Sequence, residues 1–236
     1  MEIMEIISEA LVYPINNIKA LLIYVVLGII AGLAIGGTII GLVTGANTHN
    51  ALASGLGIIG TLISIVILLL IAGYELDIVK YGIKRDPGAP GIDIVRQVTN
   101  AIKLIIVDFV YYIIPIIVAA LMGFLIGTGF ITTIVIIIIA IIFSLAAFMA
   151  RCRLAKTDSL GDALAFGEAI GDISRVGIIK IIAVALITIL IVFIISFIIA
   201  AITSWNSTIG GILMGIFFVY AAFFINRAVG LLYSDV

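Results

Sequence analysis

The stretch that decides the fold runs from Phe130 to Ala150 and reads FITTIVIIIIAIIFSLAAFMA. It contains no charged residue, and Arg151 follows it directly. A run of about 20 apolar residues is long enough to cross the hydrocarbon core of a bilayer as a helix. Its centre, residues 136–142, lacks the alternation of apolar and polar residues that a transmembrane β-strand requires. This stretch therefore predicts a membrane-spanning helix.

The rest of the chain has the same character. Apolar residues make up 64% of it and charged residues 11%, whereas a soluble domain has about half apolar and about a quarter charged residues. Unpaired backbone groups are costly in lipid, so the spanning segments must be helices or a closed barrel, and unbroken apolar runs exclude the barrel. We predict an all-α integral membrane protein with a single transmembrane domain over residues 1–236. Its six spans are expected at residues 20–42, 51–72, 104–126, 130–150, 176–202 and 208–230.

The charged residues are distributed on one side of this pattern. All 12 Lys and Arg residues and all 13 Asp and Glu residues lie on that side. The three connections on the other side, residues 44–54, 127–129 and 203–207, contain none. Short loops rich in Lys and Arg are retained in the cytoplasm. The asymmetry predicts a multi-pass protein of the cell membrane with both termini in the cytoplasm.

Three stretches that mix polar and apolar residues precede the span pairs, at residues 2–13, 92–103 and 159–174. Their apolar residues recur at helical spacing, and Pro14 is expected to end the first helix. Such helices either lie at the level of the lipid headgroups or pack as lids over the bundle. Lys19, Lys103 and Lys180 begin the spans that follow, at separations of 84 and 77 residues. This period indicates either three units of an interfacial helix plus a hairpin, or merely evenly spaced spans.

Asp108 is the clearest ionisable residue inside a span, and such residues commonly mark functional sites. Tyr111 and Tyr112 follow it within a helical turn. Lys180 and Arg227 are predicted at a comparable depth and could neutralise the carboxylate. Two interpretations remain open, a structural ion pair that joins spans and a site for a proton or another cation.

Glycines spaced by four residues allow helix backbones to approach closely. The sequence predicts such packing at Gly28, Gly32, Gly36, Gly41, Gly123, Gly127, Gly211 and Gly215. Contact inside the bundle is one explanation of this spacing. Contact between two copies of the chain through the first span is the other.

Four short segments carry a resemblance to a known family. They are Gly73-Tyr74, the Gly/Pro-rich break at 84–91, Tyr112-Ile-Ile-Pro115 and Ala163-Leu-Ala-Phe-Gly-Glu168. In these motifs and their spacing the chain resembles the domain-of-unknown-function 4013 (DUF4013) family of archaeal multi-pass membrane proteins, over roughly residues 60 to 185. Lys84-Arg-Asp-Pro87 departs from the family, which has an acidic-Pro-acidic segment with an aromatic residue there. The resemblance implies the topology and assigns no activity or catalytic residue.

Three functions remain open. The first is a non-enzymatic polytopic membrane protein with an interaction surface on the cytoplasmic side. The second is a small-solute or lipid transporter or channel with a site near Asp108. The third is a lipid-headgroup enzyme. Its candidate site would be the one dense group of carboxylates in the sequence, Asp158, Asp162, Glu168 and Asp172. A solvated helix face also explains this group. We expect membrane lipids, a second copy of the chain, or a cytoplasmic or membrane protein as partners. We expect no nucleic acid, metal or cofactor.

Overall fold

The computed structural model describes residues 1–127 and 129–236, so Thr128 in the predicted connection at 127–129 lies outside the described residues. The described part of the chain forms nine helices and no strand. They are α1 (Ile3–Asn16), α2 (Ile18–Thr48), α3 (Ala51–Ile83), α4 (Ile94–Ile126), α5 (Phe130–Thr157), α6 (Leu160–Ala163), α7 (Phe166–Val176), α8 (Ile178–Trp205) and α9 (Ser207–Leu232). Six of them, α2, α3, α4, α5, α8 and α9, are long and apolar enough to cross a membrane. The predicted all-α fold with six such helices is confirmed.

The long helices extend beyond the predicted spans, and α3 shows the reason. Its predicted span ends at residue 72, shortly before Glu75 and Asp77, but the helix continues to Ile83. The additional turns bury the side chains of Tyr74 and Ile78 completely. Because tertiary packing supplies most helical stability in proteins, this burial sustains the helix through residues that are too polar for lipid.

The first mixed stretch forms a separate helix, α1, and this helix continues past Pro14. The expected break at Pro14 is wrong, because two further residues remain helical. Proline removes one backbone hydrogen bond from the preceding turn. Hydrogen bonds remain on both sides of Pro14: the Tyr220 hydroxyl donates to the carbonyl of Leu11, and the backbone N–H of Asn17 donates to the carbonyl of Tyr13.

The second mixed stretch forms no helix of its own. Residues 94–103 are the first turns of α4, which continues without interruption into the third span, so the separate helix expected at 92–103 is wrong. Asp93 caps α4 by accepting a hydrogen bond of 3.0 Å from the N–H of Arg96. No proline follows before Pro115, so nothing in the sequence interrupts the helix at the boundary of the span.

The third mixed stretch forms two short helices, α6 and α7. Ser159 caps α6 by accepting a hydrogen bond of 3.2 Å from the N–H of Asp162. Helix α7 then packs against α5, while α1 packs against α9 and α8. Their apolar faces are turned into the bundle, where Ile6 of α1 and Ala169 of α7 are fully buried. This packing agrees with the interpretation of these helices as lids over the bundle, and a position at the level of the lipid headgroups stays a prediction.

The core of the molecule lies at one end of the bundle. We call this the charged end; it comprises the first turns of α2, α4 and α8, the last turns of α3, α5 and α9, and the helices α1, α6 and α7. The largest cluster of buried apolar side chains joins α1, α5, α7 and α9 there and includes Ile6, Met149 and Leu231. At the opposite end large apolar side chains are exposed, with Phe124 at 86% and Trp205 at 92%. A membrane interior is the solvent that suits such a surface.

Two helix crossings at the charged end depend on glycine. A Cβ atom at Gly73 would lie 1.8 Å from the carbonyl oxygen of Gln97 in α4. A Cβ atom at Gly82 would lie 2.8 Å from the Cα atom of Gly230 in α9. Both distances are shorter than any van der Waals contact, so these positions exclude a side chain. The two glycines therefore allow α3 to approach α4 and α9 at backbone distance.

The glycines predicted from their spacing behave differently. Among them, Gly41 approaches a neighbouring backbone, since its Cβ atom would lie 2.7 Å from the nitrogen of Gly57 in α3. A Cβ atom at Gly28 would make an ordinary contact of 3.7 Å with Val219. The expected packing within the chain does not hold for the other six, where a Cβ atom would meet nothing within 4 Å in the described residues: Gly32, Gly36, Gly123, Gly127, Gly211 and Gly215. An added Cβ atom would meet open space at each of these glycines, and contact between copies of the chain stays a prediction.

Candidate functional site

Ion pairs gather at the charged end and connect segments that are distant in the sequence. All ion pairs within the described residues lie there. Those between separate segments include Arg227–Glu9, Arg96–Asp77, Lys103–Asp158, Arg151–Asp108, Arg153–Asp172 and Lys180–Asp235. The one-sided distribution of charge in the sequence thus becomes a polar network that fixes the lids and helix ends against one another.

Asp108 takes part in this network with a partner other than those expected. The Nε and Nη2 atoms of Arg151 donate to its two carboxylate oxygens at 2.7 and 2.8 Å. The predicted pairing with Lys180 or Arg227 is wrong, because these side chains bind Asp235 and Glu9 instead. Arg151 extends from α5, the partner of α4 in the same hairpin, and therefore reaches Asp108 directly.

The two tyrosines after Asp108 lie in different surroundings. Tyr111 is fully buried, donates a hydrogen bond of 2.9 Å to the carbonyl of Ala163, and packs its ring against Phe166. Tyr112 is exposed and lines a shallow apolar groove together with Asp108. Of the five residues predicted as one polar site, only Asp108 and Tyr112 share a surface. Lys180 and Arg227 lie elsewhere at the charged end.

Arg227 holds α1 and the connection between α3 and α4 against α9. Its side chain is 1% exposed and pairs with Glu9 of α1. It also donates to the carbonyl of Asp86, and its guanidinium carbon lies 4.7 Å from the centre of the Tyr13 ring. Burial raises the pKa of Tyr13 to about 12 although the charge of Arg227 lowers it, so this phenol stays protonated at neutral pH. These contacts describe a structural anchor.

Asp172 is the centre of a second anchor, which fixes α7. Its side chain is fully buried and accepts hydrogen bonds from Arg153 at 3.0 Å, from Arg175 at 2.7 Å and from the Tyr233 hydroxyl. The alternative of a solvated helix face is therefore wrong for this residue. Asp158, another member of the predicted carboxylate group, binds Lys103 instead. Within residues 1–127 and 129–236, no group of three or more His, Cys, Asp or Glu side chains is arranged to hold a metal ion.

Two acidic residues of α3 were not predicted as site residues, because they follow the predicted end of its span. Asp77 is 2% exposed and accepts hydrogen bonds from Arg96 at 3.1 Å and from the side-chain amide of Asn100 at 2.9 Å. Glu75, two residues earlier, lies on another side of α3 and lines a cavity with Tyr24. Acidic residues directly after an apolar run were the available signal for both positions.

The matching region of a protein family covers most of this architecture. The family described as protein of unknown function, DUF4013, matches residues 56–205, from within α3 to the last residue of α8. The chain belongs to this family. Among curated proteins and solved structures, nothing matches. In the DUF4013 region, the motif Gly73-Tyr74 provides the glycine at the crossing of α3 and α4. The motif at 163–168 joins α6 to α7 and contains Phe166, which packs on Tyr111.

Proposed function

We propose that this DUF4013 protein is a non-enzymatic membrane protein whose charged end faces the cytoplasm and binds a protein partner. The observation that supports this most directly is the fixation of the lids by buried ion pairs. Arg227 and Asp172 are both nearly inaccessible and hold α1 and α7, respectively, against the spanning helices. A surface that is already ordered loses less conformational entropy when a partner binds.

The surface that these anchors leave exposed carries charges of both signs. Glu168 and Arg175 project from α7, while Lys84 and Arg85 lie in the connection between α3 and α4. Anionic lipid headgroups would be matched by a surface of basic residues alone. Mixed charges suit a protein surface with a complementary pattern, where they select the partner and its orientation. This is why we place a protein at the charged end.

The sidedness of the charged end can be tested by cysteine labelling. Cys152 is the single cysteine and is fully buried, so it gives little background in the folded protein. We expect a membrane-impermeant maleimide to label His49→Cys and Ser207→Cys on intact cells. Lys84→Cys, the matched position at the charged end, should react only after the membrane is permeabilised. The reverse pattern would place the charged end outside and refute this part of the proposal.

Partner binding can be tested by photo-crosslinking from chosen positions in native membranes. A photoreactive residue at Glu168 is expected to give an adduct of one defined mass, and the same residue at Ser207 of the uncharged end is expected to give none. Reversal of an exposed charge whose side chain joins no ion pair in the described residues, Asp162→Lys, should reduce the yield at least severalfold at unchanged expression. An adduct that forms equally from Ser207, or that ignores the charge reversal, would contradict a partner site on α7.

A further inference from the structure

Glu75 of α3 is an acidic residue without a partner. The other acidic side chains within the described residues are either exposed or held by hydrogen bonds and ion pairs, whereas Glu75 is partly buried and has neither. An ionised carboxylate in apolar surroundings is strongly unfavourable unless a cation compensates its charge. The position of Glu75 therefore calls for a cation or for a neutral carboxyl group.

The cavity beside Glu75 has a specific composition. It measures about 180 Å³, lies between α2, α3 and α9, and is lined by four aromatic residues, Tyr24, Tyr74, Phe218 and Phe223. The rings of Tyr24 and Tyr74 are stacked with their centres 4.0 Å apart, and the ring of Phe223 lies 5.8 and 5.6 Å from them. This wall of aromatic rings stands next to a carboxylate that forms no ion pair or hydrogen bond within the described residues.

The two tyrosines of this wall have hydroxyl groups that lack a hydrogen-bond partner. The residues Tyr24 and Tyr74 are 2% and 0% exposed, and their hydroxyl groups find no hydrogen-bond partner in the described part of the chain. Buried hydroxyl groups are almost always paired in native proteins. Two side chains of the lining therefore carry buried hydroxyl groups that accept and donate no hydrogen bond within the described residues.

The chemistry of the lining selects among cations. Calcium takes six to eight oxygen ligands and magnesium demands an octahedron of them, whereas this lining offers one carboxylate among aromatic rings and aliphatic side chains. An organic ammonium ion is attracted by the faces of aromatic rings and needs no such shell of oxygens. Sites for drug-sized ligands measure about 300–1,000 Å³, so a cavity of about 180 Å³ suits a small ion.

We propose that Glu75, together with Tyr24, Tyr74, Phe218 and Phe223, forms a binding site for a small organic ammonium ion within the helix bundle. The carboxylate compensates the positive charge, and the rings contact the alkyl groups of the ion. This site is separate from the surface of α7 and does not depend on the protein partner proposed above.

The test measures thermal unfolding of the purified full chain in detergent with a thiol-reactive dye, which reports the exposure of Cys152. Tetramethylammonium chloride is the probe, and sodium chloride at equal concentration controls for ionic strength. A ligand that binds only the folded state raises the melting temperature as its concentration rises. We expect this rise for the wild type with the ammonium salt, no comparable rise with sodium, and a loss of the response in Glu75→Gln.

Two variants make the result specific. Glu168→Gln makes the same chemical change on the exposed surface of α7 and should respond like the wild type. Phe218→Leu removes a ring that is 65% exposed, so folding is preserved. A cation–π contact at an exposed site contributes about 0.5–1 kcal/mol, so this variant should bind about two- to fivefold more weakly. It keeps the test decisive if Glu75→Gln does not fold.

Three results would overturn the proposal. An equal response to sodium would indicate a simple ionic effect. A wild type that ignores tetramethylammonium, while Glu75→Gln is more stable than the wild type, would indicate a carboxyl group that is merely protonated. An unchanged response in both Glu75→Gln and Phe218→Leu would place the bound ion elsewhere in the molecule.

Discussion

Replacing Gly73 with alanine is expected to lower the melting temperature more than the same substitution at any other helical glycine of this chain. The new Cβ atom would lie 1.8 Å from the carbonyl oxygen of Gln97 and 2.4 Å from its carbonyl carbon. Both are backbone atoms of α4, so the clash can be relieved only by separating the two helices. Overpacking a well-packed site costs about 1–3 kcal/mol and sometimes more. At the upper end of that range, the melting temperature of a chain this size falls by about 10 °C.

The matched control is Gly211→Ala in α9, where an added Cβ atom would meet nothing within 4 Å. Alanine is favoured over glycine in a helix interior by about 1 kcal/mol, so this variant should melt at the temperature of the wild type or slightly above. Unfolding is followed in detergent through the reaction of Cys152 with a thiol dye. If the two variants melted alike, the close crossing of α3 and α4 would be disproved.

The contrast between these two glycines also shows how far the sequence predicts the packing. The regular spacing of Gly211 and Gly215 pointed to a helix contact, whereas Gly73 has no glycine four residues away. Spacing reports which residues share a face of a helix, but not which neighbour that face meets. The number of spans was predictable because an apolar run of sufficient length has one stable arrangement in lipid. The close crossings depend on the arrangement of the helices, which the sequence pattern does not contain.

The same limit applies to the polar network. The end of the bundle at which the charges collect followed from the sequence, because Lys and Arg are absent from the connections on the other side. The partner of Asp108 did not follow, since the sequence predicts Lys180 and Arg227 at a comparable depth, and Arg151 stands only as the first charged residue after its span. Glu75 was not predicted as a site residue, because a carboxylate two residues before Asp77 is typical of the polar end of a span. Only the structure shows that α3 continues and turns Glu75 towards an aromatic cavity.

Asp172→Asn is expected to destabilise the protein by about 3–5 kcal/mol, the usual cost of leaving a buried charge without its partner. The side chain of Asp172 is fully buried, and that of Arg153, which donates to it at 3.0 Å, is only 16% exposed. Arg175 is more exposed and can turn to Glu168, so most of the loss arises at Arg153. Asp162→Asn, the same change at an exposed site, should alter the free energy of unfolding by less than about 0.5 kcal/mol.

Acidification provides an independent test of the same anchor. Burial alone would raise the pKa of Asp172, but hydrogen bonds from Tyr233, Arg153 and Arg175 outweigh it and hold the pKa below its usual value. A carboxyl group with a lowered pKa stabilises the folded state at any pH above its unfolded pKa of about 3.9. That stability is lost as the pH falls towards the pKa of the folded state. Wild type and Asp172→Asn should therefore differ widely in melting temperature near neutral pH and converge below about pH 4. A difference that stayed constant into the acid range would show that the charge of Asp172 does not hold α7 in place.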